Sequence, residues 1–389
     1  MSQSPARPYI GGQAVIEGVM MRSPGSFAIV CRKRSGELVV REKPMATTAG
    51  GLRTWPLFRG IATVVESLRL GSRALRWSAD IYEQGLNEEE AEAAAADDKP
   101  KNSARPSKGA GAGSSVTNIF TAASLSIAAL AASDGAGAPP PFPEEKKGGG
   151  FAAAIPILFA LGIFVFLPQA GAEGINKLFN LGLEVTSPAF QAITGGAKLL
   201  IVVSYLLAIR QIADIRRVFQ YHGAEHKTIS TYEANEDLVV DNARTKTTAH
   251  PRCGTTFLVM VALVSVVVFT VAGAFLQAAQ ILPKVENRFL ENLVFLVFKL
   301  PFLPLVAAVT FELQRFFARY CTTGPLRVLL WPGFLVQKIT TAEPDDAQLE
   351  VALASLRATL WREQAAHAPV REDRVFESYP ALVSDPGYA

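Results

Sequence analysis

The chain has 389 residues, enough for two domains, with 49% hydrophobic residues and a mean hydropathy of +0.23, high for a soluble protein. A net charge of +3 gives no case for nucleic acid. Three widely spaced cysteines, Cys31, Cys253 and Cys321, exclude a disulfide framework and suit free thiols facing a reducing cytoplasm. The N-terminal run MSQSPARPYIGGQ lacks an apolar h-region, so no cleavable signal peptide is expected there.

Residues 11–24 read Gly-Gly-Gln-Ala-Val-Ile-Glu-Gly-Val-Met-Met-Arg-Ser-Pro. The glycines permit close backbone approach or positive φ. Glu17 and Arg22 stand among apolar residues. The plain reading is an ordinary loop leading into a strand. The functional one is a segment folding over a site, with Glu17 and Arg22 contacting substrate. Residues 28–43 predict a β-hairpin, two strand-like runs flanking Ser35 and Gly36. Residues 57–75 predict an amphipathic helix, with Leu57, Phe58, Ile61, Val64, Val65 and Leu68 at helical spacing. It packs on the hairpin or the bundle, or lies on the inner membrane surface. Residues 1–82 thus form a small cytoplasmic α+β part. Residues 83–150 hold an acidic run, Ala repeats and Pro- and Gly-rich stretches. Such a composition buries too little apolar area to offset ordering entropy, which predicts a disordered linker.

Four segments predict membrane spans, each near the length a bilayer requires. Residues 255–282 hold no charge and are the clearest; residues 151–168 are also uncharged. The second span has its core at 199–209, starts near Phe190 and carries Lys198. The fourth, 289–311, is interrupted by Glu291 and Lys299, which sit near the outer interface or face the bundle. Residues 116–132 are a weaker candidate, because Ala and Ser add little to insertion. Basic flanks (Lys146, Lys147, Arg210, Arg216, Arg217, Arg252, Arg315, Arg319, Arg327) orient the four spans with both termini inside. The expected fold is mainly α, a polytopic bundle of about four spans in a bacterial inner membrane, with the lipid bilayer as its main partner. The order is two spans in 151–213, a cytoplasmic loop in 214–254, two spans in 255–312, a cytoplasmic segment in 313–370 and a loose tail in 371–389. Within the C-terminal segment, Trp331-Pro332-Gly333 marks a break at the membrane surface, and residues 345–365 predict a helix with an acidic first turn.

The loop holds the densest chemistry. Residues 221–227 read Tyr-His-Gly-Ala-Glu-His-Lys, using two of the four histidines. His222 and His226 fall one turn apart on one helix face, a spacing that lets two imidazoles bind one metal ion. Glu225 lies beside them, as a general base or a further ligand, and His-x-x-Glu-His is the inverted zinc-hydrolase pattern. The plain alternative is a pair of polar residues capping a helix near the headgroups. Against it, His250 and Cys253 sit just before the third span, and Glu312 lies at the inner end of the fourth, where a carboxylate needs a partner. The expected ligands are His222, His226 and Glu312 on a divalent metal, with zinc leading. His250 or Cys253 is the alternative third ligand. If both bound with the two motif histidines, coordination would be filled and the site structural.

The runs Gly11 to Met20, Phe58-Arg59-Gly60, Arg217 to Lys227, Arg252-Cys253-Gly254, Phe311-Glu312, Pro332-Gly333 and Thr340 to Pro344 resemble, in this order, the YqhQ-like family of bacterial membrane proteins. The likeness spans roughly residues 9–82 and 151–360. It implies metal-dependent chemistry without naming a substrate. Two functions compete. One is a membrane-embedded metal hydrolase, peptidase-like by motif analogy, with Glu225 as base. The other is a non-catalytic scaffold or assembly factor with a structural metal, recruiting cytoplasmic protein partners through the N-terminal part and linker. A transporter ranks third, since few polar residues lie mid-span.

Overall fold

The computed structural model describes residues 7–45, 55–97, 159, 161–283, 285–321, 324–365 and 367–388. Strands β1 (Gly11–Val15), β2 (Gly18–Arg22), β3 (Ser26–Arg32), β4 (Leu38–Pro44) and β5 (Arg374–Phe376) form one antiparallel sheet in the order β1-β2-β3-β4-β5. The expected hairpin is its β3–β4 pair, with Val30 opposite Val40. Residues 11–24 fold as a second hairpin. Val15 pairs with Gly18 across a two-residue turn, and Glu17 takes the positive φ of 50° that such a turn requires.

Both faces of the sheet are covered. On one side lies α1 (Phe58–Asp97), whose Leu70, Ala74 and Trp77 meet Val15, Met20, Phe27, Ile29 and Cys31. On the other side, Val19, Met21, Ala28, Val30 and Val40 meet two helices whose ranges are given below, through Tyr221, Ala224, Leu349 and Leu353. The alternation along β2 and β3 thus serves two cores at once. Helix α1 outruns its amphipathic stretch: it continues through Asp97 into the region expected to be linker, because the Ala- and Glu-rich sequence there favours helix. The rest of that linker, 98–150, and the weak span candidate 116–132 lie outside the described residues.

The apolar half begins with a π-helical turn, Gly162–Phe166, leading into α2 (Leu167–Leu178). Of the expected first span, residues 151–158 and 160 lie outside the described residues. Helix α3 (Pro188–Ile209) starts where Ser187 caps it, its hydroxyl accepting the Phe190 N–H at 3.2 Å. The segment expected as a loop is mostly helix: α4 (Ala213–Glu233) and the short α5 (Val240–Arg244). Then come α6 (Thr255–Ala278), α7 (Arg288–Lys299) and α8 (Leu303–Tyr320), the last two joined by a tight Leu300–Phe302 turn around Pro301. Among the described residues, three stretches are long and apolar enough to cross a membrane: Pro188–Ile209, Thr255–Ala278 and Arg288–Phe317. Helices α9 (Trp331–Thr340) and α10 (Asp346–Gln364) follow, and α10 opens on a capping box between Asp345 and Gln348. It is α4 and α10 that cover the second face of the sheet.

The loose tail is not what forms. Residues 374–376 add β5 to the sheet beside β4, α11 (Tyr379–Val383) follows, and Leu382 and Tyr388 are buried in the core. The Tyr388 hydroxyl donates to Glu42 at 2.8 Å, and Arg374 pairs with Asp385. The N- and C-terminal parts of the chain therefore build one unit.

Candidate metal centre

Helix α4 delivers the two histidines of the motif on one face, their ring centroids 4.5 Å apart. Each ring is fixed from behind by a main-chain carbonyl. His222 Nδ1–H donates to the Thr340 carbonyl at 2.8 Å, and His226 Nδ1–H to the Thr248 carbonyl at 2.5 Å. Carbonyls only accept, so both protons sit on Nδ1 and both Nε2 atoms keep a free lone pair. Those lone pairs converge on Cys253. His222 Nε2 is 3.2 Å from Cys253 Sγ, and one ligand atom from each of His222, His226 and Cys253 lies within 4.8 Å of the others. His226 Nε2 is buried without a hydrogen-bond partner. A buried, oriented and unsatisfied imidazole beside a thiol fits a soft or borderline cation such as zinc.

Cys253 is held by its neighbours. The Gln337 side-chain amide takes the His250 N–H and donates to the His250 carbonyl, both at 2.8 Å, clamping the turn before α6. Gln314 Nε2 donates to the Cys253 carbonyl at 3.1 Å. Burial alone would raise the Cys253 thiol, but contacts with the His226 ring and Thr255 outweigh it and hold the thiol below its usual range. That favours the thiolate, the form that binds metal.

Glu225 faces the cluster from beneath β1. A Cβ on Gly12 would meet its side chain at 2.7–2.8 Å, so only glycine lets the strand lie this close. Burial is the main reason the Glu225 carboxyl is pushed up to about 8. The Cys253 charge adds to that rise, while His222 and a backbone hydrogen bond from Ala14 work against it. One carboxylate oxygen, Oε2, has no hydrogen-bond partner. On the far side of α4, Gly223 touches the Ala342 carbonyl, and Lys227 pairs with Glu343 and donates to the Arg244 carbonyl at 3.0 Å. The helix is thereby tied to the segment that supplies the Thr340 acceptor.

The other residues singled out in sequence lie elsewhere. Glu312 does not join the histidines, which corrects the expected ligand set. Arg59 from α1 grips both its oxygens at 2.7 and 2.5 Å, leaving the carboxylate satisfied where it stands. The His250 ring centroid is 5.7 Å from that of His226. Its Nε2 faces Glu233 at 3.4 Å, and burial pushes its pKa down to about 4. Glu17 is held by Arg217 in two contacts and by the Tyr221 hydroxyl at 3.2 Å, while Arg22 donates to Ser67 at 3.1 Å. The segment 11–24 does fold over the site, but through the Gly12 and Ala14 backbone rather than through these charged side chains. Neither the Thr248 carbonyl nor the Gln337 side chain stood out in the sequence, and Thr340 stood out only within the Thr340 to Pro344 run, because a main-chain acceptor leaves no mark on residue type.

The profile of a family described as "Protein of unknown function (DUF1385)" matches residues 55–362. A Bacillus subtilis (strain 168) protein described as "Uncharacterized protein YqhQ" is 26% identical over 362 residues, covering 92% of this chain and 95% of that one. No solved structure matches the chain.

Proposed function

The chain belongs to that family of unknown function, and we propose that it is a membrane-embedded, metal-dependent hydrolase whose metal is held by His222, His226 and Cys253. The reading rests on one observation above the others. Two carbonyl-oriented imidazoles leave their Nε2 lone pairs directed at one thiol, with an unsatisfied carboxylate, Glu225, beside them. Three protein ligands leave a position for a further group, the pattern of catalytic rather than closed structural sites. A bound zinc ion supplies Lewis acidity there. Glu225 takes the proton of the attacking water, since its Oε2 has no competing partner. The Thr248 and Thr340 carbonyls hold the ligand rings in place throughout. By motif analogy the substrate is a peptide bond close to the membrane. Basic flanks put the site at the cytoplasmic face of a bacterial inner membrane, with both termini inside.

Burial of the cluster supports a second reading, a structural metal clamp in a scaffold protein that recruits cytoplasmic partners. His226, Glu225 and Cys253 are all buried, with the Gly12 backbone of β1 lying against Glu225. The two readings separate on Glu225→Gln. Purified protein in vesicles is incubated with a library of membrane-anchored peptides, and new termini are sought by mass spectrometry beside zinc analysis. The hydrolase reading expects stoichiometric zinc in wild type and variant, with cleavage only in the wild type. Cleavage that survives Glu225→Gln, or wild-type protein without metal, overturns it.

A further inference from the structure

Among the apolar helices, apart from the metal-site residues, two lysines lie against one aromatic ring. Lys299 ends α7 and is only 3% exposed; Lys198 lies in the middle of α3. Both ammonium groups lie against the same ring, Phe269 of α6, at 5.1 and 5.8 Å from its centroid. Among the described residues each has one hydrogen bond: Lys299 Nζ to Gln169 Oε1 at 2.8 Å and Lys198 Nζ to Ser265 Oγ at 3.1 Å. An ammonium has three N–H donors, so each keeps donors to spare. No carboxylate among the described residues touches either one. The nearest acid in the same hydrogen-bonded chain, Glu173, is engaged by Arg288 and Asn292.

Two like charges without a counter-ion are costly between apolar helices, and ionisable residues at that depth are kept for a ligand or a transported charge. The polar chain points to the way in. Gln169, which accepts from Lys299, also donates to the Asn292 carbonyl at 2.7 Å. Both residues line a cavity of about 250 Å³ whose remaining walls include Phe166, Phe289, Leu293 and Leu296. Lys299 lies behind Gln169, one hydrogen bond from the cavity, whose wall also carries Glu173 and Lys177. Cationic donors behind Gln169 and an apolar wall in front of it suit a group with two acceptor oxygens and a hydrocarbon body.

We propose that Lys198 and Lys299 form a carboxylate-binding site inside the helix bundle, reached through the cavity between α2 and α7. Each ammonium donates to one oxygen, and the carbon chain of an amphiphilic acid lies along the phenylalanine and leucine side chains. This site is independent of the metal centre.

Full-length protein in nanodiscs of zwitterionic lipid is titrated with laurate, with acetate and with chloride, and the melting temperature and the carboxyl ¹³C signal of labelled acid are read. The proposal expects a saturable rise in melting temperature with a carboxylate. Affinity falls about tenfold or more in Lys299→Met and in Lys198→Met, while zinc content is unchanged. Binding of laurate alone identifies an amphiphile as the source, and binding of acetate as well identifies the free carboxylate. No response to either acid in the wild type overturns the proposal, as does a response to chloride alone. A response that survives in both lysine variants also overturns it.

Discussion

In the sheet, Phe27, Ala28, Ile29 and Val30 are all fully buried by helices of the same chain. On α6, by contrast, Val267, Val271 and Phe275 each remain 63% exposed. The first region makes its own apolar environment; the second presents an apolar outside, as a segment in contact with lipid does. Polar groups differ to match. Around the sheet they are numerous and paired, as with Arg32 and Glu350 or Arg41 and Asp373. In the bundle they are few and turned inward, as with Lys198, Gln169 and Lys299. The candidate metal site sits where the regions meet. α4 packs under the sheet, while Cys253 directly precedes α6 and Thr340 ends α9, which packs on α6.

The sharpest way to break this comparison is a pair of truncations. Leu353→Ala in α10 removes a fully buried side chain from the sheet core and is expected to cost about 2–5 kcal/mol. It is read as a fall in melting temperature in detergent. Equal losses from Leu353→Ala and from Val271→Ala would mean that the outer face of α6 is a protein core and not a lipid-facing surface. Next in size, Gly12→Val forces a side chain into Glu225 and is expected to cost about 1–3 kcal/mol, with metal content falling as β1 lifts off. Unchanged stability and metal content would show that β1 does not bear on the site.

Glu42 gives a pH test of the sheet region. Burial raises its carboxyl above the ordinary value, against the Tyr388 hydroxyl and the Arg371, Arg362 and Arg374 charges. A carboxyl whose folded pKa is raised favours folding on the acid side, and that contribution is lost as pH rises through the folded value. The stability difference between wild type and Glu42→Gln is therefore expected to move against the wild type as pH rises across that range in denaturant titrations. A pH-independent difference would refute the assignment. Smaller again is Arg59→Ala, which opens the partly exposed Arg59–Glu312 pair joining α1 to α8. Solvent screens such a pair, so only a slight fall in melting temperature is expected, with zinc content unchanged. The smallest effect is that of Val271→Ala itself, within about 0.5 kcal/mol.

Local patterns carried the parts of the fold that local patterns can encode. The β3–β4 hairpin follows from two apolar runs around Ser35 and Gly36, and α6 from an uncharged run longer than a bilayer needs. Strand β5 is three residues, too short for periodicity, and its partner β4 lies at the other end of the chain. Helix α1 runs past its amphipathic stretch because Ala and Glu favour helix even where the composition suits a linker. At the site, helical spacing located His222 and His226 together. It could not choose among Cys253, His250 and Glu312, because that choice depends on which distant partner claims each group. Arg59 takes Glu312 and Glu233 faces His250, which leaves Cys253 as the residue beside both rings.

That choice of Cys253 is what Co²⁺ reads most directly. Protein stripped of metal and reloaded with Co²⁺ is expected to show thiolate-to-cobalt charge-transfer absorption. The band should disappear in Cys253→Ser and persist in Glu312→Gln. A cobalt-loaded protein without that band, or one that loses it only in Glu312→Gln, would contradict the His222, His226 and Cys253 centre.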